Sequence, residues 1–295
     1  MDYADIHTRP ANRAPVNHRI DWPVGMRSCL FLSFDFDAES AWFDGDPRGW
    51  RHEVTVSHGG FGPRVGLPKI MDLLAGLELS ATFFVPAWVA EAHTGLCEAM
   101  LRGGHEIGHH GGFHLKPSLD DMDASLAELD RGFEALSRRL GVEPVGYRAP
   151  CGENYSIFLD HLMERGVKYS SSWRDDVFPY RHVLGGGKPG PIELPANYFF
   201  DDWMHGLIKG SGRNLVAREE VLSMWRDELE VTHEWGGITT TILHPQVSGR
   251  PSRFKILREF LEEAKELGGL WIANGAQITE HLESSPTFGD GPETA

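Results

Sequence analysis

The chain has 295 residues, 41% hydrophobic and 24% charged, with 43 acidic residues against 28 Lys and Arg for a formal net charge of -15. This apolar share suffices for a sizeable core and excludes a disordered chain, while the acidic balance excludes a general binder of nucleic acid or anionic lipid. A neutral or cationic small substrate fits that charge better.

The first 22 residues are polar and aperiodic and read as an N-terminal arm, and "SSPTFGDGPETA", residues 284–295, reads as a flexible tail. The start lacks a signal-peptide core, and no stretch reaches the ~18 apolar residues of a membrane span. Cys29, Cys97 and Cys151 are dispersed, with no CxxC pair, as reduced thiols would be. A cytoplasmic protein without membrane partners is expected.

Within residues 23–283, apolar strand-like runs alternate with helical periodicity. "CLFLSFDF", "ATFFV", "HEIGHH", "VGYRA", "KYSSS", "ITTTILH" and "LWIA" read as strands. Between them, "PKIMDLLAGLEL", "GLCEAMLRGG", "LDDMDASLAELDRGFEALSRRLG" (closed by Gly141), "SIFLDHLMERG", "REEVLSMWRDELEVTHEW" and "SRFKILREFLEEAKEL" read as helices, and a last helix follows. Arg174 to Arg213 reads as irregular. About seven strand–helix pairs, with neither GxGxxG nor a P-loop, predict a single α/β domain: a distorted parallel (β/α) barrel of about seven strands.

Polar residues at the C-terminal ends of barrel strands are where catalysis is usually built. Asp35 and Asp37 end the first strand two residues apart, on one face, and two carboxylates in one space need a cation or proton between them. In "HEIGHHGGFH", His110 and His114 have the spacing that lets two imidazoles share a helix face, with Gly111 and Gly112 making a tight turn into a short helical piece. Asp37, His110 and His114 would supply three ligands and leave open positions, as a catalytic Zn²⁺ requires. His105 precedes the strand and is expected to bond backbone or a neighbouring loop. Arg148 ends its strand either as a surface arginine or as a guanidinium orienting a carboxylate. His244, leaving a β-branched strand before Pro245, is either a packed histidine or a general acid.

These stretches, in this order over roughly residues 27–275, resemble the polysaccharide deacetylase family, carbohydrate esterases that share a homology domain with the rhizobial chitooligosaccharide deacetylase. The resemblance implies Asp35 as base, Asp37, His110 and His114 as metal ligands, Arg148 as the residue positioning the base and His244 as the acid. The family's adjacent aspartates are here split by Phe36, and its fourth motif is blurred: Asp175 and Asp176 are both candidates to pair with His244, with Asp176 preferred. "SHGGFGPRVGLPKIMDLL", "PIELPANYFFDDW" and "LHPQVSGRPSR" are most similar to the intracellular branch with cyclic imide hydrolases, allantoinase-like proteins and a peptidoglycan deacetylase homologue. That branch implies a homo-oligomer, up to a tetramer.

The implied function is metal-dependent hydrolysis of a non-peptide C–N bond in a small-molecule or sugar amide, with a cyclic imide or ureide as the alternative substrate. Zn²⁺ is the first choice of metal, with Co²⁺, Ni²⁺ or Mn²⁺ as other divalent ions. A backbone amide near Gly152 would complete an oxyanion site, and Trp42, Phe43, Trp173, Tyr180, Phe199 and Trp203 are candidates to wall the pocket. Two other classes compete. An Fe(II) oxygenase also uses two histidines and a carboxylate, but on hairpin-rich scaffolds whose pattern this sequence lacks. A sugar-binding protein that had lost the chemistry would lack a ligand or the base, and none is missing.

Overall fold

The computed structural model of the chain describes residues 19–43, 47–206, 215–286 and 288. Its strands are β1 (Ser28–Phe31), β2 (Ser33–Asp35), β3 (Thr82–Val85), β4 (Glu106–His109), β5 (Gly146–Tyr147), β6 (Tyr169–Ser170), β7 (Tyr180–Val183), β8 (Pro189–Glu193), β9 (Ile238–Thr240) and β10 (Leu270–Ala273). The longer helices are α1 (Glu53–Phe61), α2 (Leu67–Leu77), α3 (Ala87–Ala92), α4 (Thr94–Arg102), α5 (Met122–Leu140), α6 (Leu159–Glu164), α7 (Arg218–Trp235), α8 (Pro251–Glu266) and α9 (Gly275–Ser284).

The strands pair as two sheets, β10-β1-β9 and β2-β3-β4-β5-β6-β8-β7, parallel at every ladder except β7 with β8. β1 and β2 are one extended run broken at Leu32, and a parallel bridge from Phe34 to Leu243 ties the two sheets together. A single α/β domain with a curved, mainly parallel sheet results. Its ladder is interrupted between β1 and β2, so the expected parallel α/β architecture is met without a continuous closed ladder among the described residues.

Side-chain alternation along the first strand divides the core. Leu30, Leu32, Phe34 and Phe36 point outward into the apolar cluster under α2, α7 and α8, while Cys29 and Phe31 point inward with Phe84, Tyr169, Ile192 and Ile238. Phe31, Phe84 and Tyr169 meet there with ring centroids 6.0 to 6.4 Å apart, making an aromatic floor. By the same two-residue period, Ser33 and Asp35 stand above that floor at the C-terminal end of the sheet.

The structure departs from or adds to the sequence reading at three places. The stretch after Arg174 is not wholly irregular, because β7 and β8 form an antiparallel hairpin. Residues 53–61, which carry no apolar stripe, form α1, and it runs through a π-helical turn at Gly62–Gly66 into α2. Of the arm expected over residues 1–22, residues 1–18 lie outside the described residues, whereas Trp22 is buried on the domain itself, its Nε1–H donating to Gly236 O at 2.8 Å. Of the expected tail, residues 287 and 289–295 also lie outside the described residues. No helix among the described residues is long and apolar enough to cross a membrane.

Candidate active site

The loops that follow β2, β4, β5, β6 and β9 surround one cavity of about 730 Å³, lined among others by Asp35, Asp37, His110, His114, Arg148 and His244. Six of the seven side chains named from sequence therefore meet, although they span more than two hundred residues of chain.

Asp37, His110 and His114 bring ligand atoms within 4.8 Å of one another. His110 Nε2 lies 3.4 Å and His114 Nε2 3.6 Å from Asp37 Oδ1, an oxygen that is buried without a hydrogen-bond partner. His110 Nδ1–H donates to Arg148 O at 2.7 Å, which turns the lone pair of Nε2 toward the carboxylate. A cation held tetrahedrally about 2.1 Å from N and O donors needs donors about 3.4 Å apart, and these spacings match. The set fits a divalent metal by donor chemistry, spacing and the orphaned oxygen. Burial opposes ionisation of Asp37, yet His114, His110 and His244 hold its carboxyl below the usual carboxylate range.

The route to that convergence differs from the helical pair expected. β4 ends at His109, and His110 to His114 form a bent loop in which Gly111 has φ +77° and His114 φ +60°. A helix cannot carry those torsions. Glu128 of α5 pins the loop by accepting the N–H groups of Phe113 and Leu115, and Pro150 would stand 2.9 Å from a Cβ on Gly111. His109 points elsewhere, donating to Leu129 O at 2.8 Å.

Arg148 is buried over the aromatic floor, its Cζ 4.3 Å from the Phe84 ring centroid. It donates to Asp35 Oδ1 at 2.7 Å, Ser33 Oγ at 2.8 Å, Ser171 Oγ at 2.9 Å and Ser171 O at 3.1 Å. That network fixes Asp35 with Oδ2 free to face His110 Nε2 at 3.7 Å and His244 Nε2 at 3.9 Å. Arg148 is thus buried and bonded to Asp35, and is not a surface arginine.

The partner of His244 is corrected. Its Nδ1–H donates to Asp202 Oδ1 at 2.7 Å, and Asp202 Oδ2 accepts from His244 N at 2.9 Å, Ser248 N at 3.1 Å and Ser248 Oγ. Burial alone would depress the His244 pKa, but Asp202, then Asp37 and Asp201, raise it to about 10. Asp176 instead caps its own turn through the N–H groups of Val177 and Phe178, and Asp175 accepts from the Tyr180 hydroxyl. Asp201–Asp202 follows the apolar pair Phe199–Phe200, the same signature as the first strand's end, and could have been found by it.

Ala38, His114 and Cys151, with φ of 49°, 60° and 57°, place left-handed backbone in loops around the cavity, a concentration common at functional sites. Glycines on the α1–α2 helical run allow it to press on two of these loops: a Cβ on Gly59 would stand 2.4 Å from Ala38 O, and one on Gly66 1.9 Å from Pro245 O. Of the aromatic candidates, Trp203 lines the cavity, 5.1 Å from the His244 ring and backed by Trp42 at 5.2 Å. Tyr198, not anticipated, lines it too, whereas Phe199 is half exposed on another face. The Gly152 amide is turned onto Ala149 O at 3.3 Å and so is not a free oxyanion donor.

A family model for polysaccharide deacetylase matches residues 61–170. The solved structure of a candidate polysaccharide deacetylase from Mycobacterium smegmatis is 36% identical, superposes with a TM-score of 0.85, and is matched over 92% of this chain and 95% of that one. The chain belongs to the polysaccharide deacetylase family. It is a hydrolase of carbon–nitrogen bonds other than peptide bonds, as family membership entails. The peptidoglycan deacetylase of Helicobacter pylori is 26% identical over 281 residues, covering 85% of this chain and 95% of that protein. The PuuE allantoinase shares the fold, with a TM-score of 0.78 at 20% identity over 98% of both chains.

Proposed function

We propose that this chain is a divalent-metal-dependent deacetylase of an N-acetylated sugar or related small amide, with Zn²⁺ held by Asp37, His110 and His114. The observation that carries the reading is the buried, unpartnered Asp37 Oδ1 facing two imidazole Nε2 atoms beside an arginine-held Asp35. The likeness to the Helicobacter pylori enzyme along nearly its whole length supports the substrate class.

When bound, the metal supplies Lewis-acid polarisation of the amide carbonyl and a lowered pKa for water. Asp35, with Oδ1 tied to Arg148, offers Oδ2 as the base that takes the proton of the attacking water. His244 holds its Nδ1–H against Asp202 and presents Nε2–H to the departing nitrogen. Trp203 and the apolar side of the wall exclude bulk water from that proton transfer.

The deciding experiment pairs Asp35→Asn with His110→Ala, assayed on N-acetylglucosamine oligomers, succinimide, hydantoin and allantoin with metal content measured in parallel. Asp35→Asn is expected to keep its metal and lose about 10²- to 10⁴-fold in rate, while His110→Ala loses the metal. Retention of full metal by His110→Ala, or loss of it by Asp35→Asn, refutes the division of roles. Turnover of only the cyclic compounds would replace the N-acetyl reading with imide or ureide hydrolysis.

A further inference from the structure

We propose that Arg174 is a specificity-determining residue that binds a carboxylate on the substrate away from the scissile amide, an inference that rests on the hydrolase reading above and narrows its substrate class. Arg174 lines the same cavity as Asp35, Asp37 and His110. Its guanidinium carbon lies 3.9 Å from the centroid of the Tyr198 ring, and it is packed so closely on Gly152 that a Cβ there would stand 2.2 Å from Nη2. The group is held between a ring and a backbone.

Its stem is also fixed. The two preceding residues, Ser172 and Trp173, donate their N–H groups to Glu193 Oε1 at 2.6 and 3.0 Å, and Glu193 Oε2 lies 2.8 Å from His182 Nε2. A guanidinium so immobilised would ordinarily serve an internal carboxylate, as Arg148 serves Asp35. Yet Arg174 Nε is buried without a hydrogen-bond partner, and among the described residues no ion pair to Arg174 is formed. Buried N–H groups without acceptors are rare and costly, and this one belongs to a cavity wall in a chain of net charge -15.

The acceptor is therefore one that arrives with the substrate, which departs from the neutral or cationic substrate expected from the net charge because a guanidinium fixed in the wall sets the local field. A carboxylate matches the planar fork of donors in two-oxygen geometry. A phosphate dianion suits it less well, because Asp35, Asp37 and Asp201 share the cavity and repel a second negative charge. Of the other cations of the wall, Arg148 is committed to Asp35 at 2.7 Å, and Lys116 has a side chain 56% exposed and lies 3.9 Å from Glu153, so its charge is screened and already opposed.

The test compares two N-acetylated disaccharides on the zinc-loaded enzyme: N-acetylglucosaminyl-N-acetylmuramic acid, which carries a lactyl carboxylate, and N,N′-diacetylchitobiose, which carries none. The wild type is expected to prefer the carboxylate in kcat/KM. Arg174→Gln should reduce that preference by about 10- to 100-fold, mainly through KM, and Arg174→Lys, which keeps the charge but not the fork, should restore only part of it. Converting the lactyl carboxylate to its methylamide should cost the wild type the same factor and cost Arg174→Gln nothing further. Calorimetric binding of the muramyl disaccharide to zinc-free wild type and Arg174→Gln gives the readout independent of turnover. An unchanged preference ratio, or equal binding by wild type and variant, overturns the assignment. Arg174-dependent binding without hydrolysis of either sugar would instead refute the deacetylase reading while the carboxylate site stands.

Discussion

Asp202→Asn isolates the proposed acid machinery, because it keeps the shape of a buried side chain while removing its charge. Asp202 takes four hydrogen bonds: His244 Nδ1–H on Oδ1, and His244 N–H, Ser248 N–H and Ser248 Oγ–H on Oδ2. An asparagine can keep the last three on its amide oxygen. Its NH₂ group then faces His244 Nδ1, which must become an acceptor, so the ring is held as the neutral Nε2–H tautomer. A neutral imidazole is a far weaker acid than imidazolium, and the proton for the departing nitrogen is no longer available. Loss of general acid catalysis costs about 10²- to 10⁴-fold, and an asparagine in place of a histidine-orienting aspartate has cost up to about 10⁴-fold elsewhere, equivalent to ~3 to 5 kcal/mol of barrier. The stability cost should be smaller, about 1 to 3 kcal/mol for one unsatisfied buried contact, against about 3 to 5 kcal/mol for Asp202→Ala, which strands a buried charged histidine. Steady-state kcat, urea unfolding and metal content are measured together, with metal content expected to stay at the wild-type level. An Asp202→Asn enzyme that keeps its metal and more than a third of wild-type kcat refutes the reasoning.

His244→Ala should slow hydrolysis of an N-acetyl amine far more than of a cyclic imide, whose leaving anion is stabilised by a second carbonyl; parallel kinetics on both compounds, with equal losses, would remove the acid role from His244. His105 accepts the Ala81 N–H on Nδ1, and burial holds its pKa below the ordinary 6.5. The folded state thus binds this proton less readily than the unfolded chain, so the contribution to stability is present above pH 6.5 and is lost as pH falls toward the depressed value. Unfolding free energies across that range should fall more steeply for wild type than for His105→Asn, and parallel curves would contradict the assignment. Cys151 is exposed at the cavity wall, 3.9 Å from His114 Nδ1, whereas burial raises the Cys29 thiol well above its ordinary value and the Cys97 thiol to about 12. Iodoacetamide should therefore add one group to the native protein and inactivate it, with Cys151→Ser resistant; mass spectrometry showing Cys29 or Cys97 modified first would overturn this.

The parallel strands were legible as short β-branched or aromatic runs, and at four of them, before Asp37, His110, Arg148 and His244, the polar residue at the end was also the clue to the site. The hairpin was hidden because Pro189 and Pro191 lie within β8 and Gly185–Gly187 precedes it, a composition that argues against a strand when tertiary pairing is unseen. The spacing of His110 and His114 suggested a helix, but their meeting depends on left-handed backbone and on Glu128 reaching across from α5, neither of which has a local signal. The blurred fourth motif offers Asp175 and Asp176 as partners of His244, and neither has a local signal that would exclude it. Asp202 makes that contact because the segment through Phe200–Asp202 bonds alongside Ile242, two residues before His244.

Asp35 and Asp37 on the cavity wall and Asp202 behind His244 carry the same side chain and are distinguished by what meets their oxygens. Asp202 has four donors upon it and nothing left with which to exchange a proton, which suits a group that orients an imidazole. Asp35 has one oxygen held by Arg148 and the other turned to the cavity, which suits a base that must accept a proton and release it. Asp37 has Oδ2 reached by the long contact from Gln246 Nε2 at 3.4 Å and facing His244 Nε2 at 3.7 Å, and Oδ1 facing two imidazole nitrogens without a bond. A buried carboxylate oxygen left without a bond has room for a closer cation than the imidazoles around it. The same reasoning inverts for Arg174, a buried donor in want of an anion, so the two unsatisfied charges of one cavity ask for complementary things: a metal at one end and a negatively charged substrate group at the other.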